Sequence, residues 1–314
     1  MAQQDAERAA QASLQELGQM HVDDVLALVD TGPVSYRDLY YRWERQNWSV
    51  AELDFTQDRE QWLGFSPEQQ RAMLFGLSQF YVGEERVTTE LVPFVNAAPL
   101  DDQRLYLTTQ LVDEARHTVF FDRFYTEVVG AGGSTQQRLA EARQHINPAF
   151  QEFFYKHLPE AAARVAREPN NLEALVEGVT CYHILIEGTL ALAGQRFILD
   201  AYRQADILPA FRTGFTAVAR DESRHVQFGV KFLADVVATE PKYKTVIERY
   251  ITERLPVALE VLKAPEDRQP PREDGQEPQT AEGMTIFQFA RNSLRKKAKL
   301  IGIDLPFLNE PVTA

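Results

Sequence analysis

No stretch of the chain alternates apolar and polar positions with a period of two between turn residues, so no strand is predicted. The pattern is one of long helical segments with legible ends. Ser66 is placed to cap a helix, with Pro67 at its first position and Glu68 in its first turn, and this helix runs to about Leu91, before Pro93. A second begins at Asp101 and Asp102 and stops before Gly130-Ala131-Gly132-Gly133. A shorter helix is predicted over 148–166, and longer ones over 172–204, 209–238 and 241–262. Helices of this length joined by short loops favour an antiparallel bundle, an all-α fold. Residues 1–30 read as a polar, amphipathic helix loosely attached to the rest. Residues 35–65 form an aromatic-rich entry segment with Tyr36, Tyr40, Tyr41, Trp43, Trp48 and Trp62. Residues 264–282 are charged and proline-rich and read as a mobile surface linker, after which a last helix covers 284–300. The domain reading is an N-terminal helical extension over 1–34, a helical domain over 35–263, and linker plus C-terminal helix over 264–314.

Composition narrows this picture. With 314 residues, 44% hydrophobic and 25% charged, the chain can bury a substantial core. The net charge of −13 argues against nucleic acid or an anionic membrane surface as partner. A single cysteine, Cys181, rules out an intrachain disulfide and cysteine-rich metal clusters. The first twenty residues lack the apolar core of a secretory signal, and no run approaches the ~20 apolar residues of a membrane span, so the expectation is a cytoplasmic protein. Arg295, Lys296, Lys297 and Lys299 form a basic patch read as a solvated helix end.

The chemistry lies in a pattern that occurs twice. Glu84 is followed on the next helix by Glu114-Ala115-Arg116-His117, and Glu187 by Glu222-Ser223-Arg224-His225. Positions three apart on a helix lie about 60° apart around its axis, so the Glu and His of each motif can reach one ion. Four helices contributing Glu, Glu-x-x-His, Glu and Glu-x-x-His make the ligand set of di-iron and di-manganese bundles. Four carboxylates neutralise two divalent cations, and oxygen with imidazole suits manganese and iron. One Glu-x-x-His alone is most often a surface pair. Glu187, however, sits in Cys181–Ala193, an apolar stretch that should be buried all round, and an uncompensated buried carboxylate costs several kcal/mol. Asp221 is a candidate acceptor for the outer nitrogen of a metal-bound histidine, whereas Glu85 and Asp113, each rotated about 100° from its neighbouring ligand, read as outer or structural groups.

At these residues the chain resembles the ribonucleotide reductase small-subunit superfamily of ferritin-like dimetal proteins, and within it the small-subunit-like ligand-binding oxidases. The similarity covers roughly residues 47–262, through NWSVAELDFTQDREQW, FYVGEERVTTELVPF, LVDEARHTVFF, VTCYHILIEGTLALAG and ARDESRHVQFG. It implies a ferritin-like four-helix core with additional helices. It places Glu84 and His117 at a first metal, Glu187, Glu222 and His225 at a second, and Glu114 between them. Asp221 and Trp48 match a hydrogen-bond chain leading from the first-site histidine. Phe121 stands where the superfamily's radical tyrosine would be, and no tyrosine or tryptophan follows Tyr250, features that favour an oxidase over a reductase subunit. Val87 and Tyr182 match the oxidases' valine–tyrosine pair, joined there by an ether cross-link. Val87 lies on the face of Glu84, but Tyr182, five residues before Glu187, would point about 140° away on an ideal α-helix. A π-bulge would bring it round; without one His183 would face the metals instead.

The resemblance further implies a cofactor of one manganese and one iron, or of two irons. It also implies a long-chain fatty acid held beside the metals, against apolar stripes such as Phe75–Phe80 and Ile184–Phe197, and a homodimer. The activity expected is use of dioxygen for two-electron oxidation of C–H bonds. The alternatives are a manganese/iron radical-generating reductase subunit and a ferritin-type metal store.

Overall fold

The computed structural model describes residues 11–30, 34–265, 268, 279–280 and 283–309; most of the 264–282 linker and the two termini lie outside them. Among the described residues there is no strand. Seven helices organise the molecule: α1 (Tyr36–Arg45), α2 (Pro67–Glu90), α3 (Asp101–Phe124), α4 (Leu172–Gln204), α5 (Pro209–Thr239), α6 (Tyr243–Glu260) and α7 (Ile286–Ile301). Helices α2 to α5 form the ferritin-like core, α2 lying along α3 and α4 along α5, while α6 and α7 cover α4 from outside.

The helix ends follow the local chemistry. Ser66 and Gln69 cap α2 reciprocally, the Ser66 hydroxyl accepting from Gln69 N at 3.3 Å and Gln69 Oε1 from Ser66 N at 2.8 Å. Helix α3 continues through a π-helical turn, Tyr125–Val129, and stops where Gly130 takes φ +80°, a conformation costly for a residue with a Cβ. Helix α5 has no cap of its own. Asp58, from the helix Thr56–Gly64, accepts instead from Ala210 N at 3.0 Å and Phe211 N at 2.7 Å, and its burial pushes its carboxyl up to about 6.

Helix α4 is the centre of the bundle. By length and composition it could cross a bilayer, yet 89% of its apolar window is buried among its neighbours, as suits the core helix of a bundle. Its middle, Thr180–Ala191, is π-helical over twelve residues. The 148–166 segment likewise contains a π-helical stretch, Phe153–His157, and Thr135–Ala142 and Val92–Ala97 add short helices that the sequence pattern did not announce.

Two expectations are corrected. The described part of the N-terminal extension is neither one helix nor loosely attached. It breaks into Leu14–Leu17 and Val22–Leu26, buries Leu17 and Val25 against the core, and takes hydrogen bonds from α5, Arg220 to Ala12 O at 2.6 Å and Ser223 to Val25 O at 3.2 Å. The C-terminal basic patch also loses a member. Lys297 is buried on the inner face of α7, where its Nζ donates to Ser293 Oγ at 2.7 Å and Ser293 donates to Gly188 O at 2.9 Å, tying α7 to α4.

Candidate metal centre

Each core helix delivers its carboxylate or imidazole to one point inside the bundle. Glu84 comes from α2, Glu114 and His117 from α3, Glu187 from α4, Glu222 and His225 from α5, and none is more than 5% exposed. His117 Nδ1 lies 3.3 Å from Glu84, 3.6 Å from Glu114 and 3.4 Å from Glu222. His225 Nδ1 lies 3.4 Å from Glu114, 3.4 Å from Glu187 and 3.3 Å from Glu222. Two groups thus converge tightly enough to hold one ion each: Glu84, Glu114, His117 and Glu222, and beside them Glu114, Glu187 and His225. Glu114 belongs to both. Glu222, assigned by the resemblance to the second position alone, turns one oxygen towards each histidine.

Buried polar atoms seek partners, yet Glu114 Oε2, His117 Nδ1, Glu187 Oε2, Glu222 Oε2 and His225 Nδ1 have no hydrogen bond, and all five belong to residues of the two converging groups. Two divalent cations would give these residues their missing partners and cancel the four carboxylate charges, so the residues fit a dimetal centre. The protonation pattern shows the same pressure. Burial, then the charge of Glu222, pushes Glu187 well above the usual carboxylate range, and burial holds Glu84 up at about 8. Burial also works against ionised Glu114, but His225 and His117 outweigh it and bring that carboxyl to about 2.

The outer nitrogens of both imidazoles are held, and by the opposite helix. His117 Nε2, on α3, faces Asp221 Oδ2 of α5 at 3.3 Å; His225 Nε2, on α5, faces Asp113 Oδ2 of α3 at 3.2 Å. Each aspartate also accepts from an indole, Asp221 from Trp48 at 2.8 Å and Asp113 from Trp43 at 2.9 Å. Two arginines tie these branches together. Arg224 donates to Asp113 at 2.9 Å and Asp221 at 2.7 Å, while Arg116 Nη1 lies 3.1 Å from each. The repeated unit is therefore Asp-Glu-x-Arg-His, longer than Glu-x-x-His. Asp113 is the equal of Asp221, and Glu85 turns away towards Arg143, 3.6 Å distant.

The π-helical middle of α4 decides between Tyr182 and His183. Tyr182 is fully buried and its hydroxyl donates to Glu114 Oε1 at 2.9 Å. His183 turns aside to Gln110 Oε1 at 3.2 Å, and burial with the nearby His225 lowers it to about 3, so it stays neutral. Gln110, which no sequence motif marked, also donates to Glu187 at 2.8 Å and Glu114 at 3.2 Å. Above the carboxylates opens an apolar cavity walled by Phe80, Gly83, Val87, Phe150, Phe154, Ile186 and Leu190, with Glu84, Glu114, Glu187 and Glu222 at its polar end.

The profile of the family described as "Ribonucleotide reductase, small chain" matches residues 34–262. The chain belongs to that family. Among solved structures it is similar to variants of an R2-like ligand-binding oxidase with an anaerobically reconstituted Mn/Fe cofactor. One is 26% identical with a TM-score of 0.73 and another 26% identical with a TM-score of 0.70, each match covering 86% of this chain and 94% of the other. A third, at 24% identity and a TM-score of 0.72, shares the fold. These family members carry manganese and iron, and the buried carboxylate and histidine cluster of this chain is able to hold such a pair.

Proposed function

We propose that the chain is a dimetal oxidase that uses dioxygen for two-electron oxidation of C–H bonds, with residues 35–263 as the metal-binding unit. Glu84, Glu114, His117, Glu187, Glu222 and His225 hold the two ions, manganese and iron or two irons. The observation that carries this reading is the convergence of four buried carboxylates and two imidazoles, with five of their atoms left without a hydrogen bond. When bound, the metal pair supplies the redox chemistry of dioxygen. Asp221 and Asp113 fix the histidine rings so that Nδ1 faces inward, and Trp48 and Trp43 hold those aspartates in turn.

Val87 and Tyr182 are the proposed partners of an intrachain ether. Val87 lines the cavity one helical turn after Glu84, and Tyr182 reaches Glu114. Burial and the charge of Glu114 hold the phenol well above its ordinary range, so it keeps its proton until oxidation. Linking removes one hydrogen from the Val87 side chain and the phenolic hydrogen of Tyr182 as the C–O bond forms, and two electrons and two protons pass to dioxygen. The cavity suits a long-chain fatty acid, its chain along the phenylalanines and its carboxylate at the polar end. Leu105, Val112 and Val119, exposed at seven-residue intervals on α3, support a homodimer through that face. A cytoplasmic location accords with the one buried, unpaired cysteine.

Aerobic loading with manganese and iron should give two ions per chain and a Val87–Tyr182 peptide pair two hydrogens lighter than its parts, absent in Tyr182→Phe. Fewer than two ions per chain would falsify the dimetal reading, and an unlinked pair would leave a dimetal oxygenase without the cross-link. The family match favours one alternative, a radical-generating reductase subunit with Phe121 in place of the tyrosine. Nucleotide reduction on mixing with a reductase large subunit would decide for it.

A further inference from the structure

We propose that Trp43, Tyr40 and Tyr41 form an electron-entry relay to the His225 side of the metal pair, a proposal that rests on the dimetal reading. The two Asp-Glu-x-Arg-His units send two hydrogen-bonded branches outward, His117–Asp221–Trp48 and His225–Asp113–Trp43. Near the histidines they are alike. Beyond the indoles they differ.

Trp48 is 5% exposed, and its ring meets Phe120 at 6.3 Å, which leads on to Phe55 at 6.2 Å and Phe211 at 5.5 Å. Phenylalanine is far harder to oxidise by one electron than tyrosine or tryptophan, so these rings do not act as stepping stones. Arg116 also lies over the Trp48 ring, 5.5 Å from its centroid, and that positive charge opposes an indole radical cation there. Trp43 is only half-buried. Its ring centroid is 6.1 Å from that of Tyr40, which is 6.0 Å from that of Tyr41, and Tyr41 is 45% exposed. One branch therefore ends in the core, and the other reaches solvent through oxidisable rings.

In the relay, Trp43 passes one electron inward to the oxidised metal pair, and a one-electron reductant at the Tyr41 surface restores the indole through the two tyrosine rings. Each transfer takes one electron from the reductant and adds one to the metal pair. No covalent bond forms or breaks, and the indole proton stays between Nε1 and Asp113.

The test loads the full chain with manganese and iron, measures the ions per chain, oxidises it, and mixes it with reduced methyl viologen in a stopped-flow instrument. Trp43→Phe and the double variant Tyr40→Phe/Tyr41→Phe should be reduced about tenfold more slowly than the parent, and Tyr155→Phe, at an exposed tyrosine outside both branches, within about twofold of it. A second readout is peptide mapping after aerobic loading without reductant, in which oxygen adducts should collect on Trp43, Tyr40 and Tyr41 and diminish in Asp113→Asn. If Trp43→Phe fails to load its metals, the tyrosine double variant, which touches no proposed ligand, decides. Fewer than two ions in the parent overturns the dimetal reading and the relay with it. Two ions with parental reduction rates in the Trp43 and tyrosine variants, or adducts confined to Trp48, overturns the relay alone.

Discussion

Replacing Arg224 with methionine probes the tie between the two halves of the centre. Arg224 is 2% exposed and donates to Asp113 at 2.9 Å, to Asp221 at 2.7 Å and to Gln46. Removing one partner from a buried ion pair costs ~3–5 kcal/mol, because the remaining charge is stranded away from water. Here two aspartates lose a cation, but Arg116 stays 3.1 Å from each, so the lower part of that range, ~3–4 kcal/mol, is expected. Arg116→Met should cost less, ~1–2 kcal/mol, since that side chain is 10% exposed and water replaces part of what it gives. Arg224→Lys should recover only part of the loss, because one ammonium cannot reproduce the fork that spans both carboxylates. Urea denaturation followed by circular dichroism on metal-free protein reads these differences. The same variants, titrated with manganese, should bind about tenfold or more weakly, because the aspartates that orient His117 and His225 are then unbraced. An Arg224→Met protein within ~1 kcal/mol of the parent, or an Arg116→Met protein damaged as badly, would refute the cross-brace.

Two further outcomes are expected. Gly229→Ala puts a Cβ 2.2 Å from His183 Cβ, where helices α4 and α5 touch, and should cost about 1–3 kcal/mol in thermal unfolding; an unchanged melting temperature would contradict that close approach. Metal affinity should fall as pH drops below about 8, because Glu84 at about 8 and Glu187 well above its usual range bind protons that a metal ion must displace. Competition titrations between about pH 6 and 8 check the sign, up to about tenfold per pH unit for each proton released, and a flat profile would count against it.

The convergence of these carboxylates and histidines was legible because a carboxylate inside an apolar helix is stable only beside a cation or a shared proton, and Glu187 is the plainest case. Tyr182 was legible only conditionally. The sequence carries the residue but not the width of the helix, and twelve π-helical residues swing it to Glu114 while His183 goes to Gln110. Asp113 was undervalued for a geometric reason. Its rotation from Glu114 was judged on its own helix, whereas the ring it serves stands on the facing one. The signal was present in the second copy, since whatever recommended Asp221 before Glu222 recommended Asp113 before Glu114, and Arg116 and Arg224 repeat in step. Gln110 gave no such sign, because one glutamine on a buried face resembles any other polar core residue. Helices Thr135–Ala142 and Val92–Ala97 are short and stabilised by packing, which a one-dimensional pattern does not record.

The exchange of acceptors between α3 and α5 makes the duplicated bundle behave as an interlocked frame. Asp113 cannot shift without unseating His225, nor Asp221 without unseating His117, so sliding either helix loosens both rings at once. A cation held at either position would therefore bear on the rings of both.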